Sequence, residues 1–248
     1  MAEPKKLPSQ PSFLHGQIND VVQSCRKGWQ VMRHRGPSQL QFWFIALLIG
    51  IAAGLAAVGF RQAIAWLQGV LYDAKDVRYL QEFVTDLEWY WIVLIPVAGG
   101  LITGTVLHLF TPDGRARSVA EVIEGAAMNN GRVEKRAGLA SAFASMITLS
   151  SGGSTGREGP VVHLAGVISS WVSGLIKADG ITGRDLLGCA VAAAVSASFN
   201  APIAGALFAL EVVLRHFAVH AFAPIVIASA AGTVSSRLEF GNVTEFTL

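Results

Sequence analysis

Apolar positions along this chain gather into long blocks rather than into short one-sided stripes. The first block follows a polar segment and runs through the apolar centre Phe42–Phe60, which contains Gly50, Gly54 and Gly59. Ser38 is placed to cap it, so a helix is predicted from there to about Leu71. The second block, Trp89 to Phe110, opens on Trp89, Tyr90 and Trp91, the residue types of an interfacial aromatic belt, and holds Pro96 and Gly99-Gly100 as bend points. A short helix is predicted at about 118–129 and another at 134–150, ending at a glycine run. Segments at 160–177, 184–199, 202–216 and 220–238 follow, each of 15–19 residues. At 1.5 Å per residue such lengths fall short of a ~30 Å hydrocarbon core unless the helix is tilted or spans it partly. Short segments interrupted by Gly and Pro predict broken helices whose ends meet at a midplane site. Backbone of that kind persists in a membrane only where it lines a cavity or is buried in protein.

Composition agrees with this pattern. The chain has 248 residues, 52% hydrophobic and only 15% charged, against about 25% charged in a soluble domain. Its mean hydropathy is +0.48. The expected class is an all-α, polytopic membrane protein, with 1–36 as a cytoplasmic segment holding an amphipathic helix at 12–34 and 37–248 as the membrane domain. Lys5, Lys6, Arg26, Lys27, Arg33 and Arg35 against Glu3 and Asp20 place the N-terminus in the cytoplasm, and the default location is the cell (inner) membrane. The acid-rich loop at 73–88 suits the outer face. Arg115, Arg117, Arg132, Lys135 and Arg136 then restore positive charge for an inner one. A net charge of +2 without a basic stripe gives no footprint for nucleic acid. Cys25 and Cys189 lie in unlike contexts, so no disulfide is expected.

The chemistry concentrates at 150–167, Ser-Ser-Gly-Gly-Ser-Thr-Gly-Arg-Glu-Gly-Pro-Val-Val-His-Leu-Ala-Gly-Val, where Arg157 and Glu158 stand between Gly156 and Gly159. Ionisable groups in hydrocarbon cost roughly 3 kcal/mol each even on lenient insertion scales, so they mark a pathway or a paired site. A helix is expected to open at Pro160, because Pro suits a first helical position. The amides of that turn and of the glycine run would then form a concavity for an anion. Anion passage gated by Glu158 is the leading expectation; the plainer alternative is an ion pair at a helix N-terminus.

Gly156-Arg157-Glu158-Gly159-Pro160, and downstream Ser198-Phe199-Asn200-Ala201-Pro202-Ile203-Ala204-Gly205 continuing to Glu211, resemble in order and spacing the motifs of the CLC family of chloride channels and proton–chloride exchangers. The resemblance implies the CLC fold of broken, tilted helices, with this chain as the first of two inverted halves and the second half of the transport domain missing. It implies that Glu158 occupies an anion site until protonation releases it, that amides of Gly159, Val161 and Val162 bind the anion, and that Arg157 adds positive potential. It also implies a homodimer in membrane lipid, with helices at 184–238 as interface material, and chloride as bound substrate with no cofactor. Two departures stand out. Ala116-Arg117-Ser118-Val119-Ala120-Glu121 lacks the family's Gly and Pro pattern, so either Arg117 or, one residue on, Ser118 takes the place of an inner anion-coordinating serine. Arg117 there either binds anions or is a plain loop charge. Val212 occupies the position where similar exchangers carry a proton-relaying Glu, which predicts weak or absent proton coupling.

The remaining residues have plainer readings. His163 is expected to be a packing residue, with polarisation of the gate as the alternative; Glu211 is expected to be structural, and Arg215 an interfacial anchor. His216 and His220 have no partners at metal-ligand spacing. No nucleophile–base pair or phosphate-binding loop points to an enzyme. A non-transporting half-length membrane partner or scaffold is the second reading, and a proton-coupled exchanger a third. A fluoride-selective relative is disfavoured by Pro160.

Overall fold

The computed structural model describes residues 38–72, 88–215 and 219–241. The expected surface helix at 12–34, most of the 73–88 loop, Cys25 and His216 lie outside the described residues. Eight α-helices follow in order among those described: α1 Gln39–Tyr72, α2 Trp89–Phe110, α3 Val119–Met128, α4 Lys135–Ser150, α5 Glu158–Ile176, α6 Gly180–Phe199, α7 Pro202–Phe208 and α8 Val219–Phe240. A π-helical turn, Ala209–Leu214, continues α7. By length and apolar composition α1, α2, α5 and His220–Phe240 of α8 suffice to cross a membrane.

The hub is α6. Every residue from Asp185 to Ala197 is buried, and the run Gly-Cys-Ala-Val-Ala-Ala-Ala-Val-Ser-Ala presents almost no side-chain bulk. Small residues let helix backbones approach closely, which supplies packing energy that lipid-soluble surfaces otherwise lack. Accordingly α1, α5 and α8 all pack around α6. Gly50 and Gly54 of α1 face Ala228 and Gly232 of α8: a Cβ on Gly50 would stand 2.7 Å from the Ala228 backbone, and one on Gly54 2.8 Å from Gly232. Gly232 in turn lies so close to α6 that its Cβ would meet the Ala193 carbonyl at 2.3 Å. Helix α2 behaves oppositely. Only Ile95 and Gly99 are buried, and Leu94, Val97, Leu101, Ile102 and Leu109 are all exposed apolar surface.

The helix ends refine the sequence expectations. Helix α5 starts at Glu158, two residues before the expected Pro160, because Arg157 already has helical angles (φ −85°, ψ −16°). Helix α6 starts at Gly180 rather than 184, since the Asp179 carboxylate accepts from the Thr182 N–H at 2.8 Å and caps it. That bond holds the Asp179 carboxyl below its usual range. At its far end Asn200 takes the left-handed conformation (φ 53°), and Pro202 opens α7 at the first turn, where its missing N–H costs nothing. Pro96 leaves α2 a continuous helix. Cys189 is buried and unbonded to sulfur.

Candidate functional site

Two sequence segments some forty residues apart come together at the start of α5. Gly159 faces Ser118, whose Cα and Cβ would lie 3.6 Å from a methyl placed on it. Ser118 caps α3 through a reciprocal box: its Oγ accepts from Ala120 N–H at 3.3 Å, and its own N–H donates to Glu121 Oε2 at 2.7 Å. Partial burial works to raise the Glu121 carboxyl. The Ser118 N–H and hydroxyl outweigh that effect and hold it below the ordinary carboxylate range. The serine is therefore fixed by local hydrogen bonding before any ligand arrives.

Glu158 is the first residue of α5, and its Oε1 stands 3.9 Å from Arg157 Nε, with 42% of its side chain exposed. The first turn of a helix leaves N–H groups without intrahelical acceptors. With α5 beginning at Glu158, those donors belong to Arg157, Glu158 and Gly159; Pro160 has none. Val161 N–H instead donates to the Arg157 carbonyl at 3.3 Å, and Val162 follows it in the helix, buried like Pro160. The first-turn amides thus sit two residues earlier than expected, with Gly159 among them and Val161 and Val162 past them. Gly156 is exposed just outside, and a Cβ there would stand 3.0 Å from Glu158 Oε2.

Arg117 lies near this site with its charge already matched. Its guanidinium is 13% exposed and bonds Asp113 Oδ2 at 3.0 Å and Glu134 Oε2 at 2.9 Å, while its backbone N–H donates to Ser141 Oγ at 2.8 Å. Of the two expectations for Arg117, neither a solvated loop charge nor a vacant anion ligand describes this triad. A polar cavity of about 180 Å³ opens beside it, lined by Arg117, Glu121, Glu124, Arg132, Glu134 and His163 among others. His163 is 1% exposed, and its Nε2 lies 3.4 Å from the Glu134 carbonyl. Arg117 Nε and His163 Nδ1 are buried without a protein partner among the described residues. A cavity this polar and roomy suits water, which satisfies such groups.

Other expected residues fall elsewhere. Val212 and Glu211 sit in the π-helical turn after α7, half-buried and exposed respectively, and that turn packs against α3. Short π segments of this kind recur at functional sites. Arg215, expected as an anchor, is exposed in the left-handed conformation (φ 57°). His220 has a carboxylate neighbour that its spacing did not reveal, the buried Asp185 at 3.4 Å. No group of three metal-ligating side chains occurs among the described residues. The sequence reading passed over Arg61, a single charge in the apolar run of α1, whose guanidinium stands 4.4 Å from the centroid of the Phe240 ring. Its solitude there was the available signal.

The family model described as voltage gated chloride channel matches residues 99–248. The chain belongs to the voltage-gated chloride channel, or CLC, family. Among curated relatives, a ClcB-like protein of Ralstonia nicotianae is 31% identical over 201 residues, 79% of this chain and 46% of the relative. The voltage-gated ClC-type chloride channel ClcB of Citrobacter koseri is 29% identical over 204 residues, 80% of this chain and 47% of that one. The chain spans about half the length of the curated relatives it matches. Among solved structures, a slow cyanobacterial Cl⁻/H⁺ antiporter is similar with a TM-score of 0.68 and 19% identity, over 84% of this chain and 48% of that one. That likeness shows the CLC fold of broken helices. With its spans, family membership makes the chain an integral membrane protein.

Proposed function

We propose that this CLC chain supplies one half of a chloride pathway through a membrane, gated by Glu158. The supporting observation is the Glu158–Arg157 pair at the opening turn of α5, held against Ser118 through Gly159. A carboxylate and a halide seek the same donors. Two such charges ~4 Å apart repel by about 4 kcal/mol at an effective dielectric near 20, so one excludes the other. Protonation of Glu158 removes its charge, weakens its hold on Arg157, and opens the first-turn amides of Arg157, Glu158 and Gly159 to chloride. Arg157 keeps the local potential positive throughout. No cofactor enters this scheme.

Val212, in place of a relaying carboxylate, supports chloride movement without fixed proton exchange. The chain works as a homodimer, pairing through the exposed apolar faces of α7 and α8, where Ile203, Leu207 and Phe222 are 76%, 44% and 50% exposed. Helix α6 is buried within the chain and so adds little to that face. It resides in the cell membrane with a cytoplasmic N-terminus. The test is chloride efflux from liposomes between pH 4.5 and 7.5 with proton flux recorded alongside. Glu158→Gln should keep efflux and lose its pH dependence. Persisting pH dependence in that variant defeats the gate, and a constant proton-to-chloride ratio in the unsubstituted protein defeats the uncoupled reading.

A further inference from the structure

Helices α1 and α2 follow one another in the chain without closing on each other. Helix α2 packs chiefly on α4, and a cavity of about 620 Å³ stands between all three. Its walls include Trp66 and Leu67 of α1, Trp91 and Ile102 of α2, and Phe143 and Ile147 of α4. No ionisable side chain lines it, and the one hydroxyl in its wall, Ser151 Oγ, already donates to the Thr148 carbonyl at 3.2 Å. The floor is fixed: Ile95 and Ile147 are buried, and Ser151 fills the space that a side chain on Gly99 would need. The mouth is open, with Trp66, Leu94, Ile102 and Phe143 as exposed apolar surface around it.

Water does not fill such a space. A cavity walled by Leu, Ile and aromatic side chains stays dry and takes up apolar molecules instead. Left empty, it forfeits dispersion contacts for every atom in its walls. The protein is an integral membrane protein, so the apolar molecule that surrounds it is lipid. The dimensions point the same way. From Trp91 to Ile102 the cavity follows α2 for about 16 Å at 1.5 Å per residue. One leaflet of hydrocarbon is about 15 Å deep, half of a ~30 Å core. Trp91 belongs to the aromatic cluster that opens α2, the residue types of the headgroup level, so the outer end of the cavity lies there. At the deep end Thr103 Oγ1 donates to the Ala144 carbonyl at 3.2 Å, which draws α2 and α4 together just past Ile102 and Phe143.

We propose that this cavity binds one acyl chain of a membrane phospholipid, laid along α2 with its headgroup end at Trp91 and its tail at Ile102 and Phe143. The acyl chain fills the gap between two consecutive helices and so seats α2, of which only Ile95 and Gly99 are buried. Walls on three sides distinguish it from lipid that coats the outer surface, because each exchange gives up contacts with α1, α2 and α4 at once. Neither Glu158 nor the anion pathway enters this inference.

The probe is palmitoyl-oleoyl phosphatidylethanolamine, added to the delipidated protein in detergent and read by native mass spectrometry and thermal unfolding. One retained phospholipid per protein chain is expected, and its binding should raise the melting midpoint because it favours the folded state alone. Ala98→Phe and Ala63→Phe each put a ring into the cavity and should weaken retention about tenfold, within the range that overpacking a filled space costs. Val97→Phe, the neighbouring exposed position of α2 outside the cavity wall, should retain lipid as the unsubstituted protein does. The two ring-filled variants should melt no lower than the delipidated parent and gain nothing from added lipid, which excludes misfolding as the cause of the loss. A second measure leaves the cavity open: phospholipid brominated in mid-chain should quench tryptophan fluorescence at near one lipid per protein, and Trp66→Phe should reduce that quenching. Retention unchanged in both ring-filled variants, or lost equally in Val97→Phe, overturns the proposal, as does preference for free oleate. With no phospholipid retained and only the balance of monomer and dimer shifted by the variants, a second copy fills the cavity and the proposal fails.

Discussion

Gly138→Ala tests how tightly the helix that carries Glu158 is seated. Gly138 of α4 meets the edge of His163, and a methyl there would stand 2.4 Å from Cδ2, 2.6 Å from Nε2 and 2.9 Å from Val167 Cγ2. Neither neighbour has room to yield. His163 is 1% exposed with Nε2 held at the Glu134 carbonyl, and Val167 is fully buried. Overpacking of a close-packed interior costs about 1–3 kcal/mol, and removing a mid-helix glycine returns roughly 0.5–1 kcal/mol, so the single change should cost about 1–2 kcal/mol. His163→Ala alone empties the space and should cost about 2 kcal/mol or more. Together the two changes should cost less than their sum by about 1–2 kcal/mol, because the new methyl enters the space the ring has left. In detergent each kcal/mol moves the midpoint of thermal unfolding by about 2–4 °C for a chain of this size. Additivity within about 0.5 kcal/mol would refute the contact, and with it the claim that Gly138 sets the position of α5.

Three further outcomes are expected. Gly232→Ala forces its methyl against the Ala193 backbone, which has no rotamer to change, so α8 must move away from α6 and the melting midpoint should fall by several degrees; Gly59→Ala, with open space around it, should leave the midpoint unchanged or raise it. Glu121→Gln removes a carboxylate whose folded pKa is depressed, so the loss, roughly 0.5–1 kcal/mol for an exposed cap, should be full above the unfolded value near 4.3 and vanish as pH falls through the folded one; a pH-independent loss in melts between pH 3 and 7 counts against the capping box. Arg117→Ser strips Asp113 and Glu134 of their common cation; the Asp113 carboxyl lies below its usual range, so the destabilisation in the same melts should be full at pH 7 and shrink as pH falls through that lowered value, and a loss that does not change with pH would count against the triad.

The helices were legible because each apolar block is long and each break is marked by Gly, Pro or a cap. The π-helical turn after α7 was not, since its residues have ordinary helical composition. The start of α5 shows a subtler failure. Pro at a first helical position and Pro at a third are equally comfortable, because neither loses an intrahelical bond. Pro160 alone therefore could not say which it was, and the exposed Gly156 before Arg157 let the chain enter the helix sooner. That difference of two residues decides which amides are available to an anion.

The charges of the site divide in the same way. Which residues carry charge near Glu158 could be read directly; which charges neutralise one another could not. Arg117 reaches Asp113 four positions back with no helix between them, and Glu134 seventeen positions on, just before α4. His163 owes its seat to Gly138, twenty-five residues earlier on another helix. Arg117, nearly buried between two carboxylates, and the half-buried Arg157 consequently differ in what they offer an anion, although both are arginines beside the same motif. To bind at Arg117 an anion must displace two carboxylates from a guanidinium that is nearly buried. At Arg157 the carboxylate to displace is Glu158, which is half-exposed, 3.9 Å away, and removable by a proton. Under the proposed function, electrostatic cost favours Arg157 and the first turn of α5 over Arg117 as the place where a small anion would enter.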